Sequence, residues 1–72
     1  MIVAFILISF DKKRHNISDE FLEHEMVKET NVLFGQYDLL IKVKAKTNKD
    51  VAQFVINKIR PIEGVIEVKT LL

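Results

Sequence analysis

Three groups of side chains in this sequence have the types and spacing to do chemistry. His15 and His24 stand among Glu20, Glu23 and Glu25, a mixture that could hold a metal ion or move protons. Nine positions apart on one helix, the two imidazoles would lie on opposed faces, so one chain cannot close both on one ion. Both are expected to be solvated surface histidines. Lys42, Lys44 and Lys46 form an alternating row that could meet a phosphate backbone, although alternate lysines on a strand more often guard a sheet against edge pairing. The third group is Gly35-Gln36-Tyr37-Asp38. It combines a residue free to take positive φ with a carboxylate able to accept from nearby amides. The chain contains no glycine-rich phosphate loop, no Ser-His-Asp set and no paired buried carboxylates. A binding protein is expected rather than an enzyme, with no metal or cofactor.

The third group needs a hairpin to hold it. Val32, Leu33 and Phe34 stop at the first of only two glycines. Residues 39–46 then read Leu-Leu-Ile-Lys-Val-Lys-Ala-Lys, with every odd position apolar. Such a period of two is a strand with one buried face. A strand over Glu29–Phe34, a short glycine-containing connection and this second strand make the hairpin.

The flanking segments complete the pattern. Met1–Phe10 is almost wholly apolar and rich in β-branched residues, which predicts a strand buried on both faces. Ile17, Phe21 and then Met26 or Val27 give a narrow stripe, widened by Leu22, that predicts a helix over about residues 13–24. Val51, Phe54, Val55, Lys58, Ile59 and Ile62 fall at i, i+3, i+4, i+7, i+8 and i+11, a second and clearer helix. Thr47 or Asn48 can cap it, and Pro61 should end it at or just before Arg60. A last strand follows over residues 65–72, with Ile66, Val68 and Thr70 on one face. The order β-α-β-β-α-β, with right-handed crossovers, places the first and third strands centrally and both helices on one face. The fold class is therefore α+β, a ferredoxin-like sandwich with a four-stranded antiparallel sheet.

Size and charge narrow the function. A chain of 72 residues buries roughly 60% of the surface its unfolded form exposes, which leaves a marginal domain unless something reinforces it. Cysteine is absent, so disulfides and thiolate zinc sites are excluded. Oligomerisation is the remaining remedy, and a first strand apolar on both sides calls for a cover over the bare sheet face, which implies a face-to-face or edge-to-edge dimer. Eleven basic and ten acidic side chains give a net charge of +1, which provides no field for duplex DNA or membrane. The apolar start lacks a basic n-region and is too short to span a bilayer. A cytoplasmic protein is expected.

Phe34-Gly35-Gln36-Tyr37-Asp38-Leu39-Leu40, followed by Lys58-Ile59-Arg60-Pro61-Ile62-Glu63-Gly64-Val65 and the closing Val68-Lys69-Thr70, resembles the effector-binding domain of Lrp/AsnC transcription regulators. That module is also called RAM, for regulation of amino-acid metabolism. The opening Met1–Leu7 is similar to stand-alone members without a DNA-binding half, and the match runs nearly end to end. The resemblance implies one ligand-sensing domain over residues 1–72. It implies dimers that assemble into rings, commonly of four dimers, with amino-acid effectors in clefts between them. Gly35, Gln36, Tyr37, Asp38 and Thr70 are the implied effector-binding residues. Turn amides would take the effector's carboxylate, and Asp38 its ammonium or the neighbouring backbone. Two departures are visible. Val68 stands where relatives often carry a small polar residue, which bears on polar side-chain recognition. The charged Asp11–Arg14 replaces a glycine usual after the first strand, which bears on the ring contact.

The resulting expectation is an amino-acid-sensing, oligomeric module acting on transcription through full-length regulators. Two other readings stand beside it: a small dimeric ferredoxin-like enzyme, and an interaction domain without a ligand. Acylphosphatase-like chemistry would need an arginine in a glycine-containing anion cradle after the first strand, and Arg14 has no glycine near it.

Overall fold

Four strands form one antiparallel sheet in the order β2-β3-β1-β4. The computed structural model describes residues 1–11 and 24–71. β1 runs Ile2–Phe10, β2 Val27–Val32, β3 Leu39–Ala45 and β4 Val65–Leu71. Between β3 and β4 lies α1, Asn48–Phe54, which continues as a π-helical turn over Val55–Ile59. β1 and β3 are central, as the connection rules require. The first helix predicted from sequence, residues 13–24, falls almost entirely outside the described residues, as does His15.

Strand period explains the core. Ala4, Ile6, Ile8 and Phe10 of β1 stand opposite Val43, Ile41, Leu39 and Val65, either directly or through the β4 register. They are buried together with Val51, Phe54, Val55 and Ile59 from the helix. The alternate residues of β1 face the other way. Val3 and Phe5 are each 39% exposed, so within one chain β1 is buried on one face only. Phe5 lies between Lys42 and Leu71, and Leu7 between Leu40 and Lys69. An apolar stripe thus runs down the middle of a sheet face that the helix does not cover.

Several local expectations need correction. β2 begins at Val27 and stops at Val32, because Leu33 and Phe34 belong to the connection. Lys42 and Lys44 lie on β3, which is paired on both sides, so they cannot guard an edge. Ile66 does not share the core with Val68. The β1–β4 register shifts at Ser9/Phe10, which lets both Val65 and Val68 pack inward and leaves Ile66 69% exposed.

The helix starts as expected. Thr47 is the N-cap, its Oγ1 accepting from Asp50 N at 3.2 Å. The end is wider than an α-turn, with Arg60 N donating to Val55 O at 2.9 Å, five residues back. Pro61 has no amide with which to extend the ladder. Arg60 itself nevertheless stays right-handed helical, at φ −60 and ψ −34. The preference of a residue before proline for extended geometry is overridden here.

Candidate functional site

The connection from β2 to β3 is closed by Leu33 N donating to Asp38 O at 2.8 Å. Four residues, Phe34 to Tyr37, bulge beyond it. Gly35 takes φ +136, a conformation open to glycine and costly for other residues, with free space where a Cβ would stand. Phe34 beside it is 98% exposed. A large aromatic at a loop tip makes no packing contribution within its own chain.

Asp38 ties this turn to the centre of the sheet. Its amide donates to Ile8 O at 2.9 Å, and its Oδ2 accepts from Phe10 N at 2.8 Å. The carboxylate replaces a carbonyl at the point where the β1–β3 ladder ends, so the Phe10 amide is not left unsatisfied. Oδ1 takes no hydrogen bond among the described residues.

Tyr37 reaches across the sheet. Its hydroxyl donates to Glu67 Oε1 at 3.2 Å, thirty positions away in sequence. Glu67 pairs with Ser9, on the face turned away from the helix. Partial burial pushes the phenol above its ordinary 10.0, and the neighbouring Glu67 carboxylate acts in the same direction through its charge and its hydrogen bond. Tyr37 is therefore a neutral donor at physiological pH.

Of the residues implicated from sequence, Gly35, Gln36, Tyr37 and Asp38 form one turn at one end of the sheet, Gly35 and Gln36 exposed and Tyr37 and Asp38 half-buried. Thr70 is placed elsewhere. It pairs with Ile6, so it lies on the helix side of edge strand β4, while the Tyr37–Glu67 contact occupies the other face. Glu67 was not singled out from sequence. Its only signal there is an acidic residue on the last strand, which carries no information until the register sets it beside Tyr37.

His24 departs from the expected solvated surface histidine. It is half-buried, its ring 4.6 Å from that of Phe54 at 65°, an edge-on packing. Its Nδ1 accepts from Met26 N at 3.2 Å. Among the described residues no cluster of His, Asp and Glu is arranged to hold a metal ion, and no helix is long and apolar enough to cross a membrane.

The fold that carries this turn has known relatives. The family described as the Lrp/AsnC ligand binding domain matches residues 3–72. This chain is a member of that family. An uncharacterised HTH-type transcriptional regulator from Pyrococcus abyssi is 33% identical over 73 residues, covering 96% of the chain but 49% of the relative. The chain thus spans about half the length of this regulator. The crystal structure of FFRP-DM1 superposes with a TM-score of 0.88 at 36% identity, covering 99% of this chain and 96% of that one. A transcriptional regulator from Neisseria meningitidis, solved as a complex with L-Met, shares the fold at a TM-score of 0.79 and 20% identity, covering 96% and 47% of the two chains.

Proposed function

We propose that this Lrp/AsnC-type domain senses an amino acid or similar small effector, assembles into dimers and higher rings, and modulates transcription through partner regulators rather than catalysing a reaction. The observation that carries the proposal is the Gly35–Asp38 turn. Its tip is exposed, yet the turn is fixed by hydrogen bonds to β1 and β4 before any ligand arrives, which lowers the entropy cost of binding. Its amides can meet a carboxylate, and the Oδ1 of Asp38, which takes no hydrogen bond among the described residues, can meet an ammonium. The L-Met complex of the Neisseria regulator is consistent with an amino acid as the ligand class of this fold. The bare apolar stripe through Phe5 and Leu7 supports a second copy on the sheet face. An effector cleft between dimers would also give Thr70 a way to join the turn of another copy, since within one chain it does not. On this reading residues 1–72 act as one sensing domain in the cytoplasm.

One observation favours a second reading. The bond from Phe10 N to the Asp38 carboxylate gives that residue a structural task, so the turn could be a closed hairpin in an interaction domain without a ligand. Thermal-shift measurements against the twenty amino acids, followed by calorimetric titration of any that raises the melting temperature, separate the two. A stabilising amino acid whose affinity depends on Asp38 supports sensing. A flat response to all twenty supports the interaction domain.

A further inference from the structure

Asp38 and Glu67 stand on either side of Ser9, at the end of β1 nearest the turn. Asp38 reaches β1 through its amide on Ile8 O and through the Phe10 amide on its Oδ2, and Glu67 pairs with Ser9 from β4. β3 and β4 flank β1, so two strand spacings separate them, roughly 10 Å at about 4.8 Å each. The Tyr37 side chain crosses that interval to donate to Glu67 Oε1 at 3.2 Å. The turn therefore has two anchors of different kinds. Asp38 fixes its base to β1. Beyond that base, Phe34, Gly35 and Gln36 make no hydrogen bond among the described residues, so the phenol is the one hydrogen-bonded tether of the tip within them.

Within one chain the last strand thus meets the turn at Glu67 and not at Thr70, which pairs with Ile6 and lies on the helix side. We infer that Glu67 is a positioning residue for the effector site: acting through the Tyr37 hydroxyl, it holds the tip in one arrangement before a ligand arrives. This role rests on the effector reading of the turn. A tip already held loses less conformational freedom on binding, whereas a released tip must be ordered by the ligand, which weakens affinity. Gly35 at φ +136 sharpens the need, because glycine has the most backbone freedom to lose.

The test is a double-mutant cycle on the whole chain, with calorimetric affinities for whichever of the twenty amino acids raises its melting temperature. Glu67→Ala and Tyr37→Phe should each weaken binding by about two- to tenfold, the equivalent of one side chain ordered by the ligand. The double variant should lose no more than either alone, because both changes remove the same bond. Glu67→Gln keeps an acceptor oxygen and should restore most of the affinity. Glu63→Gln, which removes an exposed carboxylate just before β4, should leave it unchanged. Tyr37 is the only tyrosine in a chain without tryptophan, so its fluorescence anisotropy reports the tether without any ligand. That anisotropy should fall in Glu67→Ala and recover in Glu67→Gln, while the melting temperatures of both stay within about 4 °C of the native value. Undiminished affinity or unchanged anisotropy in Glu67→Ala would overturn the role of Glu67. So would additive losses in the double variant, or equal weakening by Glu63→Gln. A native chain that binds none of the twenty overturns the effector reading itself, and the positioning role with it.

Discussion

Tyr37 and Glu67 meet through a 3.2 Å hydrogen bond that spans from the β2–β3 connection to β4, with β1 lying between those elements in the sheet. The contact fixes the turn against the last strand. It also raises the energy of the tyrosinate, which would face a carboxylate.

The pH dependence of this contact has a definite sign. The folded phenol titrates above 10.0, with burial first and Glu67 second as causes. Between the unfolded and folded values the native state holds the proton that the unfolded chain has lost. Stability is therefore unaffected below about pH 10 by this group and falls as pH rises past it. Tyr37 is the only tyrosine, so absorbance near 295 nm reports it alone. Its midpoint should lie above 10.0 in the native protein, and Glu67→Gln should move it down. An unmoved midpoint in that variant would assign the shift to burial only.

Asp38 has two separable tasks. Asp38→Ala removes the acceptor of the Phe10 amide and should cost about 1–3 kcal/mol of stability. Asp38→Asn keeps an oxygen in place and removes the charge, so it should fold with most of the native stability. If the carboxylate also meets an effector's ammonium, the Asn variant should bind about ten- to a hundredfold more weakly, the equivalent of roughly 1.5–3 kcal/mol. Chemical denaturation and titration of both variants with the stabilising amino acid provide the comparison. Equal affinities for native and Asn proteins would leave Asp38 only its structural task.

The open sheet face should be an interface. Light scattering of the native chain at micromolar concentration should give at least twice the 8.4 kDa of one copy. Phe5→Asp puts a charge in the middle of the apolar stripe without touching the helix-side core, so it should lower the assembly state while the sheet persists by circular dichroism. A native monomer at that concentration contradicts a self-association role for this face.

Phe54 tests the other layer. It is buried between the sheet and the His24 ring, and Phe54→Ala should cost about 3–5 kcal/mol. In a domain whose total stability is roughly 5–15 kcal/mol, the variant should unfold at markedly lower denaturant. Any ligand lost on this substitution should return in proportion to the folded fraction.

Much of this architecture was legible in the residues. The alternation in 39–45 determined β3 and its core face, the stripe from Val51 to Ile59 determined the helix, and Thr47 marked its start. Contacts set by register were not legible. The shift at Ser9/Phe10 turned Ile66 outward and Val65 inward, and the same pairing brought Glu67 to Tyr37 while sending Thr70 to the opposite face. His24 shows a different limit. A histidine in a strongly polar stretch gives no sign that Phe54, thirty residues later, will pack against its ring. The π-turn was likewise invisible, because Pro61 announces that a helix must stop but not how its last carbonyl is satisfied.

The bond from the Asp38 carboxylate to the Phe10 amide also makes that one proton a clock. While Oδ2 holds it, exchange with deuterium should wait for an opening of the sheet end. A ligand that draws the carboxylate toward itself would release the proton and speed its exchange, whereas a ligand seated on Oδ1 with Oδ2 undisturbed would slow it further. Occupancy of the turn would thus be written in the lifetime of a single amide on the neighbouring strand, readable even where the ligand itself gives no signal.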